Sequence, residues 1–175
     1  MSKHRYGYKS FKLSDIDPAT GLAAAGTAKE LKDDVYRDSF DIVEEEGTTT
    51  DHYSEMDPDP KISFTEDGKL NITLSVMDFS VESLALFKGG EVVEADGKKT
   101  WSKPKVSPQI LKFCELETLD GYTVIVPKGK VKARINHQVR RNGIALLEVT
   151  ITPQSPDVDG LNSMDVVETV PVPAV

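Results

Sequence analysis

Lys130 to Thr152 reads KVKARINHQVRRNGIALLEVTIT. Its first ten residues alternate without a slip. Val131, Ala133, Ile135, His137 and Val139 fall on one side, and Lys130, Lys132, Arg134, Asn136 and Gln138 on the other. A period of two is the mark of a half-buried strand. Arg140-Arg141-Asn142-Gly143 follows, and Asn-Gly readily takes the positive φ angles of a tight hairpin turn. Ile144 to Thr152 then returns with Ala145, Leu147, Val149 and Ile151 on one face. An antiparallel β pair is the expectation, and it sets the class of the whole chain.

The same period appears upstream. In KLNITLSVM, Leu70, Ile72, Leu74 and Val76 share a face. Gln109–Glu117 and Tyr122–Val126 flank the turn Thr118-Leu119-Asp120-Gly121, which predicts a second hairpin, and Pro127 and Gly129 are expected to break the chain before Lys130. Weaker strands are expected at Tyr8–Leu13, Ser39–Glu45 and Lys61–Phe64. One helix is predicted in DFSVESLALFKGG, capped by Asp78 or Ser80 and stopped by Gly89-Gly90. A second, weaker one is expected over Thr27–Lys32. The fold class is therefore mainly β, an antiparallel β-sandwich or barrel-like domain with one flanking α-helix. Residues 1–152 make that domain, with long loops or arms at 15–28 and 44–60, and residues 153–175 form a Pro-containing extension. The Val, Pro and Ala residues at its end point to contact with a partner surface.

Charge is distributed unevenly. Asp38 to Pro60, DSFDIVEEEGTTTDHYSEMDPDP, carries nine carboxylates and no Lys or Arg. The rest of the chain is close to neutral, so these residues account for the net charge of −8. Lys88 to Arg141, by contrast, holds 12 basic and 6 acidic residues. Opposite patches on one molecule attract head to tail, which favours assembly with further copies; the alternative is that strand faces such as Lys130, Lys132 and Arg134 are simply solvated. The candidate acidic contact residues are Glu44, Glu45, Glu46, Asp51, Glu55, Asp57 and Asp59. The candidate basic partners are Lys128, Lys130, Lys132, Arg134, Arg140 and Arg141. Trp101, the single tryptophan, reads either as a core plug near a sheet edge or as an interface anchor.

Catalytic and metal chemistry find little purchase. His4, His52 and His137 share no metal-ligand spacing, and no GxSxG, Walker or GxGxxG motif is present. Asp57-Pro58-Asp59-Pro60 offers alternate carboxylates but lacks the Gly and distal Glu of an EF-hand loop. No enzyme activity, metal or cofactor is expected. Cys114 has apolar neighbours and reads as a small core side chain. No window is long and apolar enough to suggest membrane insertion, and MSKHRYGYKSFKLSD lacks the apolar run of a signal peptide, so cytoplasmic synthesis is expected.

The order of features carries a resemblance. A short first strand leads to a Gly/Ala-rich link, then to YRDSFDIVEEE and a Thr-rich acidic loop ending in Pro. An alternating strand, a helix ending in Gly-Gly and an aromatic residue after a lysine-rich turn follow. ETLDGYTVIVPKGKV and RRNGIALLEVTITPQSPD close the series. In this order the chain resembles the tail tube (major tail) proteins of tailed bacteriophages, most closely in Tyr36–Pro60, Leu84–Trp101 and Leu119–Pro156. The resemblance implies a structural virion protein, made in the host cytoplasm and placed in the virion tail. It implies hexameric rings that stack into a tube, contact other tail proteins and pass DNA without binding it specifically. A baseplate, tail-terminator or type VI-like tube component of the same fold is the alternative, and a monomeric β-sandwich binding module is another. An acidic balance suits a conduit, since a wall that neutralised phosphates would grip the DNA.

Overall fold

The computed structural model of the chain describes residues 6–168. In chain order its elements are β1 (Tyr8–Ser14), β2 (Lys29–Glu30), β3 (Asp41–Glu44), β4 (Thr48–Tyr53), β5 (Pro60–Glu66) and β6 (Leu70–Val76). Helix α1 (Val81–Lys88) follows, then β7 (Glu91–Ala95), β8 (Lys98–Ser102), β9 (Ile110–Thr118), β10 (Tyr122–His137), β11 (Ala145–Pro153) and β12 (Asp165–Glu168). Eight strands form one antiparallel sheet in the order β2-β1-β9-β10-β11-β6-β3, with β12 added alongside β10. Two further pairs, β4–β5 and β7–β8, stand outside it. The mainly β, antiparallel expectation with one helix is borne out among the described residues.

β10 is the spine of the sheet, and it corrects the expected break at Pro127. The strand runs unbroken through it, with a shift of register between Val126 and Gly129 against β9. Pro127 and Lys128 occupy a bulge, where a missing N–H leaves no ladder bond unmade. The extra residue also switches the buried parity. Val124 and Val126 face the core before the bulge and Val131 after it. The turn back to β11 differs from expectation too. His137 pairs with Ala145, so the connection is a seven-residue loop, longer than the turn expected at Arg140–Gly143. Gly143 is used there for close approach: a Cβ would lie 2.1 Å from the Gln138 carbonyl oxygen. His137, placed by alternation on the apolar face, is exposed against the Phe79 ring at 5.3 Å, because β10 outruns the core.

The sheet rolls up and its two ends are tied. Leu31 N–H donates to the Phe11 carbonyl and Tyr36 N–H to that of Ser75, so residues 31–36 cross from β1 to β6. Phe40 then sets its ring 5.5 Å from Tyr8 and 5.3 Å from Phe11. The Tyr8 hydroxyl donates to the Leu31 carbonyl at 2.7 Å, and burial pushes its pKa up to about 12. Inside the roll lie Phe11, Leu13, Ile72, Leu74, Val76, Leu147, Val149 and Ile151, all buried, with Leu84 and Phe87 of α1 joining the same core. Cys114 is buried there too, and burial raises its thiol to about 12, which leaves it inert. The helix expected over Thr27–Lys32 is absent. Lys29 and Glu30 pair instead with Leu13 and Lys12, and Leu31 is drawn fully into the core. Tertiary burial overrides a weak helical propensity at that point. The C-terminal segment also contributes to the sheet: Asp165–Glu168 pairs with Tyr122–Ile125 of β10. Its Val- and Pro-rich end, expected to meet a partner, lies outside the described residues.

α1 begins where expected. The Ser80 side chain accepts from the Ser83 N–H at 3.2 Å, while Asp78 accepts from the Ser80 N–H at 3.1 Å. Lys29 Nζ reaches Asp78 at 3.1 Å and Ser83 Oγ at 2.7 Å, and the Ser83 hydroxyl donates to Asp78 as well. Burial opposes the charged form of Asp78, but hydrogen bonds from Ser83, Lys29 and Ser80 more than offset it and hold the carboxyl at about 2. A carboxyl whose pKa is depressed by folding stabilises the native state above its ordinary range. That contribution fades as pH falls toward 2. Asp78→Asn is therefore expected to cost about 2 kcal/mol at neutral pH and almost nothing near pH 2, measured by urea denaturation across the pH range.

Candidate functional site

The acidic segment is a hairpin, where a loop was expected over residues 44–60. β4 pairs with β5 from Thr48 opposite Glu66 to Tyr53 opposite Pro60. Three successive threonines and the alternating Ile62 and Phe64 are residues that favour strands, and that was the signal in the sequence. The pairing is also an outward continuation of β3–β6. Glu44 faces Leu70 and Thr48 faces Glu66, so one register runs through both pairs. At the junction Glu45 N–H donates to the Lys69 carbonyl, and a Cβ on Gly68 would lie 1.6 Å from the Glu45 carbonyl oxygen. Only glycine permits that approach, and it marks where the ribbon leaves the core.

Beyond the junction the ribbon is uncovered. Every residue from 41 to 67 is exposed except Asp57. Six paired residues at about 3.3 Å each give this arm a reach of about 20 Å, close to the radius of a compact domain this size. Its two faces differ. Thr49 meets Thr65 and Asp51 accepts from the Ser63 hydroxyl on one face. On the other, His52 packs edge-on against Phe64 at 5.8 Å beside Ile62. Phe64 and Ile62 remain 59% and 55% exposed, and Met56 at the tip is 94% exposed. Large apolar side chains held in water on an uncovered ribbon mark a contact surface.

Among the described residues, the acidic set and the basic set do not meet within the chain. Asp57 pairs with Lys61 of its own arm, which lowers its pKa, Glu45 accepts from Asn71 at 2.8 Å, and Asp51 stays within the arm. Glu44, Glu46, Glu55 and Asp59 make no ion pair among the described residues. The basic set divides. Lys128 pairs with Asp157 at 2.6 Å, Arg134 with Glu148 across β10–β11, and Arg140 with the Gln138 side chain. Lys130, Lys132 and Arg141 have no acidic partner among the described residues.

Lys130 and Lys132 border an open cleft of about 410 Å³ between the C-terminal end of α1 and β10. Phe87, Ile110, Val131 and Pro108 supply its apolar lining. Lys88 is a third lysine at its wall, its Nζ held by the Ala133 carbonyl at 2.9 Å.

Trp101 lies in a second arm, where no strand was expected. Asp96 and Gly97, with φ of 53° and 72°, close a two-residue turn between β7 and β8. Trp101, half-buried, packs on the core, and its indole N–H donates to the Gly89 carbonyl at 2.9 Å. The ring thus fastens the base of that hairpin to the end of α1, and Lys99 ties it again through Glu82 at 2.5 Å.

Among the described residues no group of three or more His, Cys, Asp or Glu side chains is placed to hold a metal ion, and no helix is long and apolar enough to cross a membrane. The chain matches no protein-family model, and no curated protein matches it.

Proposed function

We propose that this chain is a structural, non-catalytic subunit that assembles with copies of itself, and that the assembly is the tail tube of a tailed bacteriophage. The observation that carries the self-assembly is the acidic arm: a hairpin of about 20 Å, exposed along its length, with Phe64, Ile62 and Met56 left in water. A monomer gains nothing from holding such a ribbon off its core, whereas a neighbouring copy would bury it. The rolled antiparallel sheet with one flanking helix suits the wall of a ring, and the order of sequence features resembles the tail tube family. In this reading the subunits form hexameric rings that stack, meet other tail proteins at the ends and reside in the virion tail. DNA passes through without specific binding, and the net charge of −8 keeps the wall from gripping phosphate. Negative-stain imaging of the purified chain tests the reading. Hollow rings or tubes support it, and particles of single-subunit size at every concentration overturn it.

A further inference from the structure

We propose that the tip of the acidic arm of one copy seats in the α1–β10 cleft of a second copy. Met56 lies on the apolar floor, and Glu55 and Asp59 lie against Lys130 and Lys132. The inference rests on the self-assembly reading and adds the site at which two copies meet.

Three observations carry it. The tip is an apolar knob between carboxylates: Met56 is 94% exposed, while Glu55 and Asp59 on either side have no cation among the described residues. The cleft has the opposite pattern, with Phe87, Ile110 and Val131 below and, at the rim, two lysines without acidic partners among the described residues. Methionine adapts its three rotatable bonds to irregular apolar hollows, which suits a cleft of about 410 Å³. The other charged groups of the tip, of the cleft lining and of β10 are already engaged. Asp57 is paired with Lys61, Lys128 with Asp157, Arg134 with Glu148, and Lys88 is held by Ala133. Charge complementarity therefore selects Lys130 and Lys132 as the receiving pair. Tip and cleft are different surfaces of one molecule, so the contact is heterologous and propagates from copy to copy.

A charge exchange tests the contact. Glu55→Lys/Asp59→Lys reverses the tip, and Lys130→Glu/Lys132→Glu reverses the cleft. All four positions are at least partly exposed, so each variant keeps the native fold, checked by circular dichroism. Each alone is expected to raise the concentration needed for assembly at least about tenfold. Mixed in equal amounts, the two variants present matched tips and clefts throughout, and assembly is expected to return. Assembly of either variant alone at the wild-type concentration overturns the site while leaving the tube reading standing. So does a failure of the mixture to assemble. A wild-type chain that never assembles overturns both.

Discussion

Replacing residues 46–68 with Asn-Gly should leave a folded subunit that no longer assembles. Glu45 and Lys69 already face each other across the ribbon, with Glu45 N–H bonded to the Lys69 carbonyl. A two-residue Asn-Gly turn closes such a pair with the twist that antiparallel strands prefer. The excised residues are almost all exposed, so the core loses little. The melting temperature is expected to stay within a few degrees of the parent, since exposed substitutions away from the core usually change stability by less than about 0.5 kcal/mol. Assembly, followed by sedimentation velocity, is expected to vanish at every concentration. Tubes formed at wild-type concentration by the shortened chain would remove the arm from the account.

Phe11→Ala is expected to have the largest effect on stability. Phe11 is fully buried, sits on the first strand and meets Phe40 edge to face. Removing a buried phenyl ring costs about 3–5 kcal/mol, from lost burial and from the cavity that remains. Here the cavity would open at the seam where the ends of the sheet are held together. Urea denaturation should show that loss as a lower midpoint. A shift under about 1 kcal/mol would mean that residues 31–36 hold the roll closed without the aromatic pair.

Period-two alternation is enough to find β6 and β11, which bury every second residue along their middles, and Lys130–His137 of β10; β9 and the first part of β10 are legible instead from the Thr118–Gly121 turn between them. α1 was readable from its cap and its glycine stop. Of the acidic arm, β5 is legible as the strand expected at Lys61–Phe64, but β4 reads as a loop because neither strand of the arm is buried. Without a buried face there is no contrast between sides, and nine carboxylates obscured the strand-favouring Thr48-Thr49-Thr50. The β7–β8 hairpin was missed for the same reason, although Asp96-Gly97 was in plain view. Pro127 misled in the other direction, since a bulge accommodates a proline that a regular ladder would reject. The opposed charges are legible in the sequence, but only the fold separates Lys128 and Arg134, already paired within the chain, from Lys130 and Lys132. The cleft beside those two lysines joins residues from α1, the segment before β9, and β10, a juxtaposition with no local signal.

As proposed, this chain builds a hollow assembly from its own copies. Negative-stain images of the purified chain, taken across a concentration series at low and high salt, are the sharpest test. Rings or tubes with a stain-filled centre are expected, at lower protein concentration in low salt than in high salt, where screening weakens the opposed charges. Uniform particles of single-subunit size at every concentration and salt would contradict it.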